Sequence, residues 1–428
     1  MAGDKTYDAA VAGAGPAGLA AALALAALGL DVALIAQRPR QSPEPRDQRT
    51  AALFTGSIEL LRNLAVWPEL STVSAPITGI RLIDDRGALL RAPEVLFTAA
   101  DMGLDAFGYN VPNEGLVRAL RSSAERATGG VEAIETGAIE RSLPESASVT
   151  LEMAGGVRIQ ARLLAAADGR HSVCRAAAGI ATSTWDYPQS ALACSFTHTR
   201  PHRGISTEFH RANGPFTVVP LPGLASSLVW VEARGEAERL AQLDEGAFRA
   251  AVEERLQGLL GSIGNIGPRA VFPLSGLTAE RFGGRRTALV GEAAHVIPPI
   301  GAQGLNLGLR DAATLADCVA DAMASGGDPG GEPVVNAYSS LRAPDIRQRI
   351  WTVDLLNRSL LSSLPPVHLV RGLGLQALKS IGPLRRLVVA EGLQPSFSTP
   401  DLMRPEGRAM LLARARRTKT PPRRSADA

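Results

Sequence analysis

Two glycine-rich stretches, far apart in the chain, hold the residues whose types and spacing could do chemistry. The first is Gly13-Ala14-Gly15-Pro16-Ala17-Gly18, which follows one apolar run and opens another. Glycines at this spacing allow a tight turn and close backbone approach. The start of the following helix offers unpaired N–H groups and partial positive charge to a pyrophosphate. A Gly-rich turn with a purely structural role is the alternative, and the strand-to-helix setting favours dinucleotide binding. The second stretch, GEAAHVIPPIGAQGLNLGLRD, spans residues 291–311. It begins with an acid at the end of a strand-like TALVG and settles into a helix, so the N–H groups around Gly304, Leu305 and Asn306 form a second anion-receiving helix start. A nicotinamide dinucleotide needs one such site. A flavin dinucleotide uses two, one for its pyrophosphate and one for the ring edge where negative charge gathers on reduction, so the pair predicts FAD held largely by backbone.

One expected residue is missing. An acid for the adenosine ribose belongs about 20 residues past the glycines, yet the second strand ends Ile35-Ala36-Gln37-Arg38. Either Gln37 takes the ribose contact or Arg38 meets an NADP 2′-phosphate. The latter leaves an NADP-dependent dehydrogenase in competition, against which the second helix start weighs.

The elements that must position these residues follow from periodicity. Residues 7–12, the glycine turn with its helix, and DVALIA from Asp31 make a βαβ unit. LLAAADG (163–169) and TALVGE (287–292) are nearly continuous apolar runs ending in an acid, as central strands of a parallel sheet do. Short alternating runs near 80–100 and from 190 to 275 predict an inserted antiparallel sheet. Phe216, Pro220 and Trp230 would come from it to roof a pocket, with core packing the simpler reading of Trp230. Pro298, Pro299 and Ile300 would wall the other side. Helices are expected from Asp311 to Leu393, broken at GGDPGGEP and LPP.

Composition narrows the class. The chain has 428 residues, 45% hydrophobic and 20% charged, an ordinary globular balance. Its three cysteines are widely spaced and its histidines lack ligand spacing, so no disulfide framework and no metal site are expected. The apolar run from Gly18 to Leu30 is preceded by Asp4 and Asp8 and is too short to span a bilayer, so it reads as a buried helix. The net charge of +3 resides in residues 401–428, which carry eight basic against three acidic side chains. This segment is read as a disordered, solvated tail in preference to one attracted to anionic lipid or nucleic acid, and no nucleic-acid partner is expected.

Together, Gly13-x-Gly15-x-x-Gly18, Asp168-Gly169 in ADGRHSVCR and the 291–311 stretch resemble the three fingerprints of group A flavoprotein aromatic monooxygenases. More narrowly, the chain resembles the ubiquinone-biosynthesis hydroxylases (the UbiH/UbiF/VisC-like family), also through DQRTAALFTGSIELLRNLAVWPEL, GPFTVVPLPGLASSLVW and DLLNR, over about residues 7–395. It departs by having Glu292 where the family has Asp, and Ala36 where the family has an acid.

The resemblance implies an α/β fold: a Rossmann-like FAD-binding domain of glutathione-reductase type (1–75, 101–185 and 276–330), a substrate-domain sheet (76–100 and 186–275) and C-terminal helices (331–400). It implies Arg49 beside the flavin and its phosphates, Asn113 near the cofactor, Asp168 where cofactor and reductant meet, and Glu292 on the ribityl or pyrophosphate. Each has a plainer alternative: Arg49 a surface cation, Asn113 a helix cap, Asp168 a turn residue. Pro298, Gly301 and Gln303 are expected next to the flavin, with no acid–base residue assigned, and His295 near the cofactor without a catalytic role.

The chemistry implied is reduction of FAD by transient NAD(P)H, addition of O2 at C4a, and oxygen transfer from the hydroperoxide to the ring of a polyprenylated phenol. Such a substrate implies a cytoplasmic enzyme with peripheral contact at the inner membrane, through helices near 367–375 and 384–389, and contact with other ubiquinone-biosynthesis proteins. A group A flavoenzyme with another substrate, and a non-catalytic flavin-binding subunit, are the competing readings. The absence of a Trp-x-Trp pair disfavours a halogenase, and the absence of a second Gly-x-Gly-x-x-Gly disfavours a disulfide reductase.

Overall fold

The computed structural model describes residues 5–37, 49–85, 94–127, 130–361 and 399–417. Arg38 and the helices expected between 362 and 398 lie outside these residues.

Two large sheets organise the described chain. In the first, the strands run in the order Gly283–Gly284, Thr287–Leu289, Arg158–Ala166, Thr6–Ala12, Val32–Gln37, Val131–Thr136. Its four central pairings are parallel, as the continuous apolar runs predict. Helix Pro16–Ala26 makes the first crossover and is apolar all round, with Leu19, Leu25 and its alanines from 20 to 24 buried. It is sandwiched between this sheet and the 22-residue helix Gln303–Ala324, whose own inner face is Leu/Ala-rich. Each fully buried leucine contributes roughly 1.5–3 kcal/mol, so the sandwich fixes both helix starts.

The second sheet has nine strands and follows the order His295–Val296, Ala270–Ala279, Thr182–His198, Ala225–Ala233, Gly214–Leu221, Ile205–Arg211, Gly79–Asp84, Val95–Thr98, with Ile263–Ile266 paired to Thr182–His198. It is antiparallel as expected, except where Ile205–Arg211 runs parallel to Gly79–Asp84. Helices Arg234–Gln242 and Glu245–Leu256 cover one of its faces, burying Phe196, Phe209, Phe216, Trp230 and Phe248. A three-stranded sheet, Thr50–Phe54, Gly108–Pro112 and Ala75–Ile77, joins the two layers.

The expectation of a disordered segment from residue 401 fails for its first part. Asp401–Met403 forms a turn of 3-10 helix and Gly407–Ala415 an α-helix, with Leu402, Met403 and Leu411 buried in the main core. Three well-spaced apolar residues dock a segment that its charge alone makes look solvated. Asn63 Nδ2 secures it by donating to the Leu402 and Arg404 carbonyls, each at 2.9 Å, and Arg414 Nε pairs with Asp401 at 2.8 Å.

Candidate functional site

The carboxyl ends of the parallel strands line up, which is where open α/β sheets bind ligands. Gly13 N–H donates to the Ile35 carbonyl, Ala167 N–H to Ala12, and Val290 N–H to Ala166. The glycine turn, the Asp168 turn and the Gly291–Glu292 turn are thereby brought into one row, as the fingerprints require.

The three glycines of the first turn do different work. A Cβ at Gly13, where φ is +107°, would sit 2.3 Å from the Ala167 carbonyl oxygen, and one at Gly18 would sit 2.0 Å from that of Gly13. Both are fixed by packing of the protein on itself. A Cβ at Gly15 would meet nothing within 4 Å, and φ there is −75°, which any residue adopts. Neither packing nor backbone conformation explains this glycine, so it keeps space clear in front of the helix. Pro16 at the first helical position has no N–H to lose, which leaves the amides of Ala17 and Gly18 directed outward.

The second helix start lies against the first. A Cβ at Gly308 would come within 3.1 Å of Ala17 Cβ and 3.2 Å of Gly291 Cα, so glycine is what lets the two helices approach so closely. Before the helix, Gly301 and Ala302 take left-handed φ values of +67° and +53°. The helix begins at Gln303, so its free amides are those of Gln303, Gly304 and Leu305. This corrects the expectation for Asn306, whose N–H is the first to enter the helical ladder. The Asn306 side chain is instead a brace: Oδ1 accepts from Phe54 N–H and Ser57 Oγ, and Nδ2 donates to the Ala52 and Ala302 carbonyls. Gly304, like Gly15, has open space where its Cβ would be.

Glu292 is exposed in its 3-10 turn and makes no hydrogen bond or ion pair among the described residues. The turn beneath it is held firmly. Asp311, fully buried, accepts Gly291 N–H at 2.9 Å and His295 Nε2 at 2.8 Å through one oxygen and Arg342 Nε at 2.7 Å through the other. Burial pushes the Asp311 carboxyl up, but His295 and Arg342 outweigh it and hold it below its usual range. His295 is therefore a structural partner of Asp311.

The other expected residues fall as follows. Asp168 spends its carboxylate locally, accepting Ser172 Oγ at 2.5 Å and Cys174 N–H at 3.1 Å to cap helix Val173–Ala177. Arg175 in that helix donates to the Ala293 carbonyl at 2.8 Å, bracing the Asp168 turn against the Glu292 turn. Asn113 is the first residue of helix Asn113–Arg126, with Pro112 at the cap position, and its N–H donates to the Arg49 carbonyl. The Arg49 guanidinium lies over the Phe272 ring, 4.9 Å from its centroid, on the second sheet. Gln37 is exposed at its strand end, Pro298 and Ile300 are buried, and Pro299 is exposed. Gln303 Nε2 donates to the Gly301 carbonyl at 3.0 Å, and its Oε1 accepts from Arg349.

The roof expected of Phe216 and Pro220 is corrected, while Trp230 takes the core packing that was its simpler reading. Phe216 and Trp230 pack on each other, ring centroids 5.1 Å apart, on the helix-covered face of the second sheet. Pro220 shares their alternation. Strand alternation assigns the opposite face to Thr217, Val219, Ser227 and Val229. This face is tied to the small sheet, since Ser227 Oγ is 2.9 Å from Thr50 Oγ1 and 3.0 Å from Asn110 Nδ2. Sequence reasoning missed Thr50, Asn110 and Ser227, which lie on three different strands and are brought together only by the packing of the two sheets.

The donor set fits a dinucleotide flavin: two outward helix starts, open space at Gly15 and Gly304, and an unengaged carboxylate at Glu292. The family described as "FAD binding domain" matches residues 6–350. The chain belongs to this family, and with it to the FAD-dependent monooxygenases and hydroxylases, as the fingerprints imply.

Among relatives, the ubiquinone hydroxylase UbiL of Rhodospirillum rubrum is 34% identical over 94% of this chain and 93% of its own. The 3-demethoxyubiquinol 3-hydroxylase of Escherichia coli is 30% identical over 90% of this chain and 97% of its own. The p-nitrophenol 4-monooxygenase PnpA of Pseudomonas putida shares the fold, with a TM-score of 0.72 at 19% identity over 91% of this chain and 98% of that one.

Proposed function

We propose that this protein hydroxylates the aromatic ring of a polyprenylated ubiquinone precursor. The observation that carries the reading is the convergence of two helix starts, each fronted by a glycine with open space, beside the small sheet that bonds to the face of the second sheet opposite its covering helices. Relatives named as ubiquinone hydroxylases, at the identities given above, supply the substrate class.

When bound, FAD supplies the redox and oxygen-transfer chemistry, with NAD(P)H as transient reductant and O2 as the oxygen source. The chain's own residues bind and orient. The Ala17 and Gly18 amides receive the pyrophosphate, with Arg49 and Asn113 nearby, while Gln37 takes the ribose and Glu292 accepts from a ribityl hydroxyl. The Gln303, Gly304 and Leu305 amides face the ring edge, where their fixed dipoles favour negative charge without reorganising. Pro298, Gly301 and the Thr217/Val219/Val229 face bound the substrate space and exclude water. No side chain is assigned as acid or base.

The prenyl tail partitions into lipid, so peripheral membrane contact and contact with other enzymes of the pathway belong to this proposal. No helix among the described residues is long and apolar enough to cross a membrane. Quinone profiling of a strain lacking the gene tests the substrate: loss of ubiquinone with build-up of a precursor short of one ring hydroxyl is expected, and an unchanged profile refutes it.

A further inference from the structure

A chain of buried charges runs behind the second helix start. Asp311 joins the Gly291 turn to Arg342, as described above. Arg342 Nη1 donates to Asp345 Oδ2 at 2.8 Å, and Arg310 Nη1 reaches the same oxygen at 2.9 Å. Arg349 Nε donates to the other oxygen, Asp345 Oδ1, at 3.0 Å. These three arginines outweigh the burial of Asp345 and hold its carboxyl well below the usual range. The chain reaches the helix start where Arg349 Nη1 donates to Gln303 Oε1, 46 residues earlier in sequence.

That last bond fixes the Gln303 amide. Arg349 offers only donors, so it takes the amide oxygen, and the amide nitrogen is left to donate to the Gly301 carbonyl. Gly301 and Ala302 are the two left-handed residues that aim the helix start, and for a non-glycine residue such as Ala302 this conformation is intrinsically unfavourable and must be imposed by its surroundings. The network also carries charge. Among the described residues it brings three guanidiniums against two carboxylates, with His295 beside them. The guanidiniums lie in the interior, where screening is weak, and have the same sign as the helix start in front of them.

We propose that Arg349 is a positioning residue for the anion-receiving turn at 301–305, acting through Gln303. It holds the turn in its left-handed geometry and adds positive potential behind it. The proposal rests on the flavin reading and goes beyond it by placing control of the ring-edge site on a side chain from helix Glu332–Leu361 that has no need to touch the cofactor.

The test is a double-mutant cycle in the full chain: Arg349→Met, Gln303→Leu and the pair, with FAD affinity read by fluorescence quenching and the flavin reduction potential by dye equilibration. Each single variant should bind oxidised FAD about threefold to tenfold more weakly. The pair should lose no more than Arg349→Met alone. Arg349→Met should also lose about tenfold more affinity for reduced than for oxidised FAD, a fall of about 30 mV for a two-electron couple. Arg349→Lys keeps the charge without the planar fork, so it should weaken binding as Gln303→Leu does while holding its potential near wild type. A loss of stability alone would leave the potential unmoved. If Arg349→Met does not fold, the Gln303→Leu and Arg349→Lys pair carries the test through the same non-additivity. Additive losses, or an unchanged potential in Arg349→Met, overturn the proposal while leaving the flavin reading intact. A wild-type protein that takes up no FAD overturns both.

Discussion

Substituting Gly15 separates a glycine kept for a ligand from glycines kept for the fold. At Gly15 a new Cβ enters open space with φ at −75°, so the protein without cofactor should fold normally in Gly15→Val. The expected cost is the poorer cap, up to about 1 kcal/mol. The side chain would, however, occupy the space in front of the Ala17 and Gly18 amides. Losing two charge-assisted hydrogen bonds at roughly 1.5–3 kcal/mol each removes roughly 3–6 kcal/mol, or about a hundredfold to ten-thousandfold in FAD affinity. Gly18→Ala is the control in the opposite sense, since its Cβ would lie 2.0 Å from the Gly13 carbonyl oxygen and should destabilise the protein whether or not FAD is present. Denaturant midpoints of the cofactor-free proteins and FAD titrations of each give the two numbers independently. A Gly15→Val protein that binds FAD as wild type does would refute the reasoning.

The remaining predictions concern other parts of the structure. Glu292→Asp should retain FAD and Glu292→Leu should bind it about tenfold more weakly, because the carboxylate is proposed to accept from the cofactor; equal affinities would mean it points elsewhere. Asp317, whose carboxyl is pushed up to about 7 by burial and then by Asp401, is protonated in the fold but ionised in the unfolded chain between about pH 4 and 7. It therefore lowers stability progressively as pH rises through that window, and Asp317→Asn should gain roughly 1–3 kcal/mol at pH 8 but little at pH 4, as read from urea midpoints; a gain independent of pH would contradict this. Phe216→Leu should lower stability by about 1–2 kcal/mol with KM for the phenol unchanged, whereas Val229→Trp should raise KM severalfold; a KM that responds to Phe216→Leu and not to Val229→Trp would restore the aromatic roof.

Much of the candidate site was legible because it is made of backbone. Gly13, Gly15 and Gly18 have few alternatives once a strand precedes and a helix follows them, and the same holds for GAQGLNLG. Side-chain roles were harder to read, for three physical reasons. In FTVVPL both faces carry apolar residues, so alternation alone does not say which face meets the helices; the larger Phe216 and Trp230 go where two amphipathic helices cover them. Asp168 was ambiguous because an Asp-Gly turn that also starts a short helix can use its carboxylate on Ser172 and Cys174. Arg342, Asp345 and Arg349 went unnoticed because a helix carrying Arg and Asp at three- and four-residue spacing usually presents them to solvent, and only tertiary packing buries them against Asp311 and Gln303. The docking of residues 401–415 was hidden in the same way by their net charge.

Single-turnover oxygen transfer tests the central claim most directly. The protein is loaded with FAD, reduced without air, mixed with a polyprenylated phenol and exposed to 18O2, and the phenol is then examined by mass spectrometry. The account predicts close to one 18O-labelled ring hydroxyl per flavin. Reoxidation of the flavin with hydrogen peroxide released and no label in the ring would contradict it.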